Sequence, residues 1–173
     1  MEKKMTSEEI FSTALVYEKK IRDLYRSAVE NIDDDQGKDL FKALAEDEQG
    51  HVEFLEHSLG ILRKNKQLDI KKPGTAIPLP ARDLEKIREM AKKIPTTILG
   101  DLKRVLNAAL SLEMETSRFY HDAIQKTQKG PVRDILKKFY EIEQRHVEVV
   151  QIELDFASNN GYWFNFMETD MED

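Results

Sequence analysis

The chain has 173 residues, enough for one domain with a substantial core, and its 40% hydrophobic and 35% charged content fits amphipathic helices rather than disorder. A net charge of −6 without a clustered basic stripe argues against nucleic acid as a partner, and the lack of cysteine excludes disulfides, Cys-ligated zinc and iron–sulfur clusters. No stretch approaches the ~20 apolar residues of a membrane span, and Met1–Met5 leads into no apolar segment, so the expectation is a cytoplasmic protein with no signal peptide and no membrane partner.

Thr6 and Glu9 have the spacing of a capping box and start a first helix that runs to about Asn31, with an apolar stripe of Ile10, Ala14, Ile21, Leu24 and Ala28. Asp33, Asp34 and Asp35 supply N-cap candidates for a second helix over about 36–64, whose inward stripe is Phe41, Leu44, Leu55 and Leu62. Lys71-Lys72-Pro73-Gly74, then Pro78 and Pro80, cannot continue it. A shorter amphipathic helix over about 81–93 carries Leu84, Ile87 and Met90, with Ile94 beside it, and Pro95 ends it. Thr96 or Thr97 then caps a third long helix to about Lys129. Gly130 and Pro131 fit a C′ glycine followed by proline at the first position of a fourth helix, which extends to about Ala157. Two tight helical pairs joined by one long crossover predict an all-α fold, the ferritin-like variant of the four-helix bundle, as a single domain over 1–173. Its helical core spans about 8–157. The remainder, 158–173, is an acidic tail whose run Tyr162-Trp163-Phe164-Asn165-Phe166 is expected to pack over a bundle end or a partner subunit.

One pattern occurs twice at a constant offset of 95 residues. Ala14, Leu15, Glu18, Tyr25, Glu48, Gln49 and His51 match Ala109, Leu110, Glu113, Tyr120, Glu143, Gln144 and His146, and Asp39/Asp134, Lys42/Lys137, Val52/Val147 and Glu53/Glu148 extend the match. The chain therefore reads as two helical hairpins related by pseudo-twofold symmetry. Glu18 lies between Ala14 and Ile21 on the core stripe, and Glu113 sits equivalently between Ala109 and Tyr120. Glu48 and His51 interrupt Phe41, Leu44 and Leu55; Glu143 and His146 interrupt Leu136, Phe139 and Val150.

Six polar groups aimed inward from four helices need a counter-charge. An isolated buried carboxylate is costly and takes up a proton, and four converging carboxylates repel one another. Two divalent cations balance four carboxylates and two neutral imidazoles. Residues i and i+3 of Glu-x-x-His stand about 60° apart and one turn apart, so they can bind one ion or adjacent ions. The set of one Glu from each of two helices plus Glu-x-x-His from each of the others is the known pattern of di-iron and di-manganese bundles. A single Glu-x-x-His has no weight as a motif; two at an offset that also pairs two core glutamates and two tyrosines carry far more. The metal candidates are Glu18, Glu48, His51, Glu113, Glu143 and His146.

Tyr25 and Tyr120 lie two turns beyond Glu18 and Glu113. They read either as core aromatics or as donors to a ligand carboxylate of the opposite helix, and a buried hydroxyl needs a partner in both cases. Glu115 faces outward about 200° from Glu113 and is expected to be solvated. His57 and His121 lack ligand partners at helical spacing and read as surface residues. Glu53 and Glu148 fit polar contacts between helices better than metal binding.

With these residues in place, the chain resembles the rubrerythrin-type members of the ferritin-like superfamily over about residues 8–157. The resemblance rests on Glu18…Tyr25, Glu48-x-x-His51, Glu113…Tyr120 and Glu143-x-x-His146. It implies a non-haem centre of two Fe ions, with Glu48 and Glu143 bridging, Glu18 and Glu113 as terminal carboxylates and His51 and His146 as terminal imidazoles. It further implies reduction of hydrogen peroxide, or of dioxygen, and a homodimer. The chain departs from the pattern twice. It has no cysteine for a rubredoxin module, so electrons would come from a separate donor protein. It also has Thr116 three residues after Glu113, where such proteins tend to carry an additional glutamate. Manganese stays open beside iron, since oxygen and nitrogen ligands suit both. Iron binding with ferroxidase or storage activity, and a bundle in which metal is structural, are the alternatives.

Overall fold

The computed structural model describes residues 5–33, 35–64, 66, 68, 72–77 and 100–159. The described residues form four helices: α1 (Ser7–Asn31), α2 (Asp35–Arg63), α3 (Gly100–Lys126) and α4 (Pro131–Asn159), with no strand among them. The start of α1 follows from its first-turn chemistry. The Thr6 hydroxyl accepts from the Glu9 amide at 3.1 Å and the Glu9 carboxylate accepts from the Thr6 amide at 2.8 Å, so two donors left over by the helix start are satisfied reciprocally. At the other end Ile32 turns extended, yet its amide still donates to the Ala28 carbonyl at 3.0 Å.

The apolar stripes decide the packing. Ile10, Ala14, Ile21 and Ala28 of α1 are buried, as are Phe41, Leu44 and Leu55 of α2 and Leu136, Phe139 and Val150 of α4. Short connections make α1 and α2 neighbours, and likewise α3 and α4; α1 also packs against α3. The result is the all-α, ferritin-like four-helix bundle expected from the order of elements. Its apolar interior is divided in two. One cluster contains Ile21, Phe41, Leu44, Leu106 and Val150, and the other contains Phe11, Leu55, Ile135, Leu136 and Phe139.

Two details differ from the sequence reading. Helix α3 ends at Lys126 rather than near Lys129, with the Thr127 hydroxyl bonded back to the Ala123 carbonyl at 2.7 Å. Gly130 is consequently not the C′ residue of α3. It caps the start of α4: its carbonyl accepts the first helical bond from the Asp134 amide at 3.1 Å, and its φ of 149° is a conformation that favours glycine. Pro131 occupies the first position of α4, where a missing N–H costs nothing. The short helix over 81–93, the Thr96 and Thr97 caps and the aromatic part of the tail lie outside the described residues. Of the crossover, residues 72–77 are described. They form an irregular segment with Pro73 and Ile77 buried.

Packing and capping should separate in size. Leu44→Ala opens a cavity in the interior and should destabilise the metal-free protein by about 2–5 kcal/mol, whereas Thr6→Ala should cost about 1 kcal/mol. Urea denaturation checks both, and equal losses would contradict the placement of Leu44 in the core.

Candidate metal centre

Between the two apolar clusters the four helices place a layer of ionisable groups. Glu18 comes from α1, Glu48 and His51 from α2, Glu113 from α3, and Glu143 and His146 from α4; all six are at most 1% exposed. Helical spacing explains the layer. Each group sits on the stripe that buries its apolar neighbours, so docking the stripes necessarily docks the carboxylates and imidazoles with them.

The layer resolves into two overlapping sets. Glu18, Glu48, His51 and Glu143 can each offer one ligand atom to a common point, as can Glu48, Glu113, Glu143 and His146; within each set these atoms lie within 4.8 Å of one another. Glu48 and Glu143 belong to both. His51 Nδ1 is 3.1 Å from Glu48 Oε2, 3.2 Å from Glu18 Oε2 and 3.9 Å from Glu143 Oε1. His146 Nδ1 is 2.8 Å from Glu48 Oε1 and 3.7 Å from Glu113 Oε1. Ligand atoms about 2.1 Å from a shared ion stand about 3 Å apart in cis positions and about 4.2 Å apart in trans positions, so these separations suit a common ion.

The hydrogen bonding supports the same fit. Among the described residues, both oxygens of Glu143 and Oε2 of Glu113 are buried without a hydrogen-bond partner. Glu48 Oε1 and His146 Nδ1 lie 2.8 Å apart as a close charge pair. Unpartnered buried acceptors are rare in native interiors, and a cation is what would satisfy several at once. The outer faces of these candidate ligands are occupied. The Tyr25 hydroxyl donates to Glu113 and the Tyr120 hydroxyl donates to Glu18, each across the α1–α3 contact. His51 Nε2 is 3.1 Å from the Gly74 carbonyl and His146 Nε2 is 2.8 Å from Asp47 Oδ2, so in both rings Nε2 carries the proton and Nδ1 faces the centre.

Burial dominates the electrostatics. It pushes the Glu18 carboxyl up to about 8, with the charge of Glu48 adding to the rise, and lifts Glu113 to about 7 against the pull of His146. Glu143 is raised well above the carboxylate range by burial and by Glu18, Glu48 and Glu113. Burial acts on Glu48 in the same direction, but His146 and His51 outweigh it and hold this carboxyl below its usual range. Burial alone would lower His146; Glu48 and Glu113 overcome it and raise the ring to about 10. Metal-free, the centre therefore stores protons that cations would displace.

The structure brings all six metal candidates and both tyrosines together. Glu115, His57 and His121 are exposed. Glu53 is exposed too, and it accepts from Gln49 of its own helix at 2.8 Å rather than from another helix. The matched glutamines do link helices: Gln49 accepts from Arg22 at 3.3 Å and Arg26 at 2.9 Å on α1, and Gln144 donates to Ser117 on α3. Sequence reasoning missed Asp47. Its signal was its place on the inward stripe, three residues after Leu44 and four before His51, but it has no acidic counterpart 95 residues on, where Ile142 stands.

Two outcomes follow from this geometry. Glu18, Glu113 and His146 all titrate higher in the folded metal-free protein than at their ordinary values of 4.5, 4.5 and 6.5, so the folded state holds more protons than the unfolded one through neutral pH. Their stabilising contribution is complete below the ordinary values and is lost as pH rises toward about 8, 7 and 10, respectively. The melting temperature of metal-free protein should fall between about pH 6 and pH 9, and metal loading should reverse the fall and release protons, measurable by calorimetry in two buffers. A flat profile would contradict the buried protonated cluster. Glu143→Ala should abolish binding of at least one metal ion by elemental analysis, while Glu115→Ala should leave the stoichiometry unchanged.

The rubrerythrin family model matches residues 9–153, a range that includes every residue of the cluster. No curated protein and no solved structure matches the chain. With a ferritin-like bundle, a buried carboxylate–imidazole cluster able to hold metal, and that match over most of its length, the chain belongs to the rubrerythrin family.

Proposed function

We propose that the centre holds two iron ions and that the protein is a non-haem di-iron oxidoreductase reducing hydrogen peroxide with electrons from a separate donor protein. The observation that carries this reading is the pair of overlapping ligand sets sharing Glu48 and Glu143. Glu18 and His51 would complete one ion position, and Glu113 and His146 the other. When bound, the iron pair supplies the two electrons that, with two protons, convert peroxide to two waters.

The chain's own residues set the conditions for that chemistry. The apolar clusters on either side keep bulk water from the layer. Tyr25 and Tyr120 orient Glu113 and Glu18, and burial raises both phenols well above their ordinary value, so each remains a protonated donor at neutral pH. Thr116 contributes no carboxylate: it is buried, and its hydroxyl donates to the Leu112 carbonyl at 2.8 Å. The ligand set thus stays at four acids and two imidazoles, neutral with two divalent ions. A separate donor is proposed because these 173 residues contain no cysteine to bind iron through thiolate. The homodimer and the cytoplasmic setting rest on the family resemblance and composition; no helix among the described residues is long and apolar enough to cross a membrane.

Anaerobic addition of peroxide to reduced, iron-loaded protein tests the reading. Oxidation of the iron within seconds, at one peroxide per two irons, is expected. Oxidation no faster than that of free ferrous iron would overturn it, and a large shell holding many irons per chain would point to storage instead.

A further inference from the structure

The ligands repeat across the two hairpins, but the groups behind them do not. His51 Nε2 donates to a neutral peptide oxygen, the Gly74 carbonyl, at 3.1 Å. His146 Nε2 donates to a carboxylate, Asp47 Oδ2, at 2.8 Å. Asp47 Oδ2 is also 3.8 Å from His51 Nε2, beyond hydrogen-bond reach, so of the two imidazoles it bonds only that of His146. The carboxylate is clamped from the other side by the crossover. The Thr75 hydroxyl donates to Oδ2 at 2.6 Å, the Ala76 amide donates to Oδ1 at 2.7 Å, and the Ile77 amide holds the Thr75 hydroxyl at 3.1 Å. Arg145, next to His146 on α4, donates to the Ile77 carbonyl at 3.1 Å and ties the segment to the same helix. Asp47 is 8% exposed, and Ile142 occupies its symmetry-related position.

We propose that the two ion positions are inequivalent, and that Asp47, held by residues 72–77, makes the Glu113–His146 position the tighter one and the first to fill. The inference rests on the two-ion reading above. A carboxylate accepting the outer N–H of a ligand imidazole fixes the ring and its tautomer and raises the basicity of the inner nitrogen, whereas a peptide carbonyl does so more weakly. Asp47 also sets a fifth negative charge closest to the His146 ring, outside the four that the two cations neutralise. It is a positioning residue: it acts through His146 and touches no ligand site itself.

Anaerobic titration of metal-free protein with Co(II), followed by visible absorption and equilibrium dialysis, tests this. The wild type should bind in two resolved steps. His146→Gln should lose the tight step and His51→Gln the weak one. Asp47→Asn, which keeps an acceptor but removes the charge, should weaken the tight step by roughly 10–100-fold and draw the two steps together. Thr75→Val, which loosens the clamp and keeps the charge, should leave them resolved. A single unresolved step in the wild type would overturn the proposal. So would equal weakening of both steps by Asp47→Asn, loss of the weak step in His146→Gln, or a Thr75→Val titration like that of Asp47→Asn, since Asp47 would then only anchor the segment. Failure of the wild type to bind two Co(II) ions at all would overturn the two-ion reading and the proposal with it.

Discussion

Four carboxylates and two imidazoles lie at the centre of a bundle whose remaining interior is mainly hydrocarbon. Removing such groups from water costs several kcal/mol per charge, and the cost is recovered only by protons, by mutual pairing or by cations. The metal-free arrangement uses the first two: Glu18, Glu113 and Glu143 are pushed toward protonation, while Glu48 stays ionised between two imidazoles. The unpartnered oxygens of Glu143 and Glu113 show that pairing is incomplete. Bound cations would satisfy acceptors that protons and pairing leave over among the described residues.

That layer also explains why the interior forms two clusters rather than one. Phe41 and Leu106 pack on one side of it, Phe11 and Phe139 on the other, and Tyr25 and Tyr120 sit at the boundary with rings in the hydrocarbon and hydroxyls on the ligands. The tyrosines cross-link the α1–α3 contact in both directions, so a contact smaller than those within the hairpins is reinforced by the same carboxylates that make up the cluster. Their aromatic bodies and their hydrogen bonds are therefore not alternatives; each ring does both.

The two hairpins are equivalent in candidate ligands and different in support. Arg22 and Ser117 occupy matching positions, yet Gln49 accepts from one and Gln144 donates to the other. Asp47 and Ile142 occupy matching positions, yet one binds an imidazole and the other is apolar core. Symmetry in the inner layer with asymmetry behind it would give two nearly identical ion positions different properties without changing a single ligand.

The four described helices and the shared inward face of the metal candidates were legible in the sequence because both depend on local periodicity. The capping box at Thr6 and Glu9, the stripes of α1, α2 and α4, and the face occupied by Glu18 and Glu48 all follow from 3.6 residues per turn. The constant offset then made independent signals reinforce one another. The end of α3 was less legible, since Gly130 suits a helix stop and a helix start equally until the bond from Asp134 is seen. The role of Asp47 was not legible at all: its partners are His146, 99 residues away, and Thr75 and Ala76, in a segment with no periodicity to phase. Sequence by itself determined which side chains share a helical face, because that is a property of one turn of backbone. Only the tertiary structure decided which nitrogen of each histidine faces inward and what stands behind it, because hydrogen bonds between distant segments depend on how the helices and the crossover dock, and no local spacing encodes that.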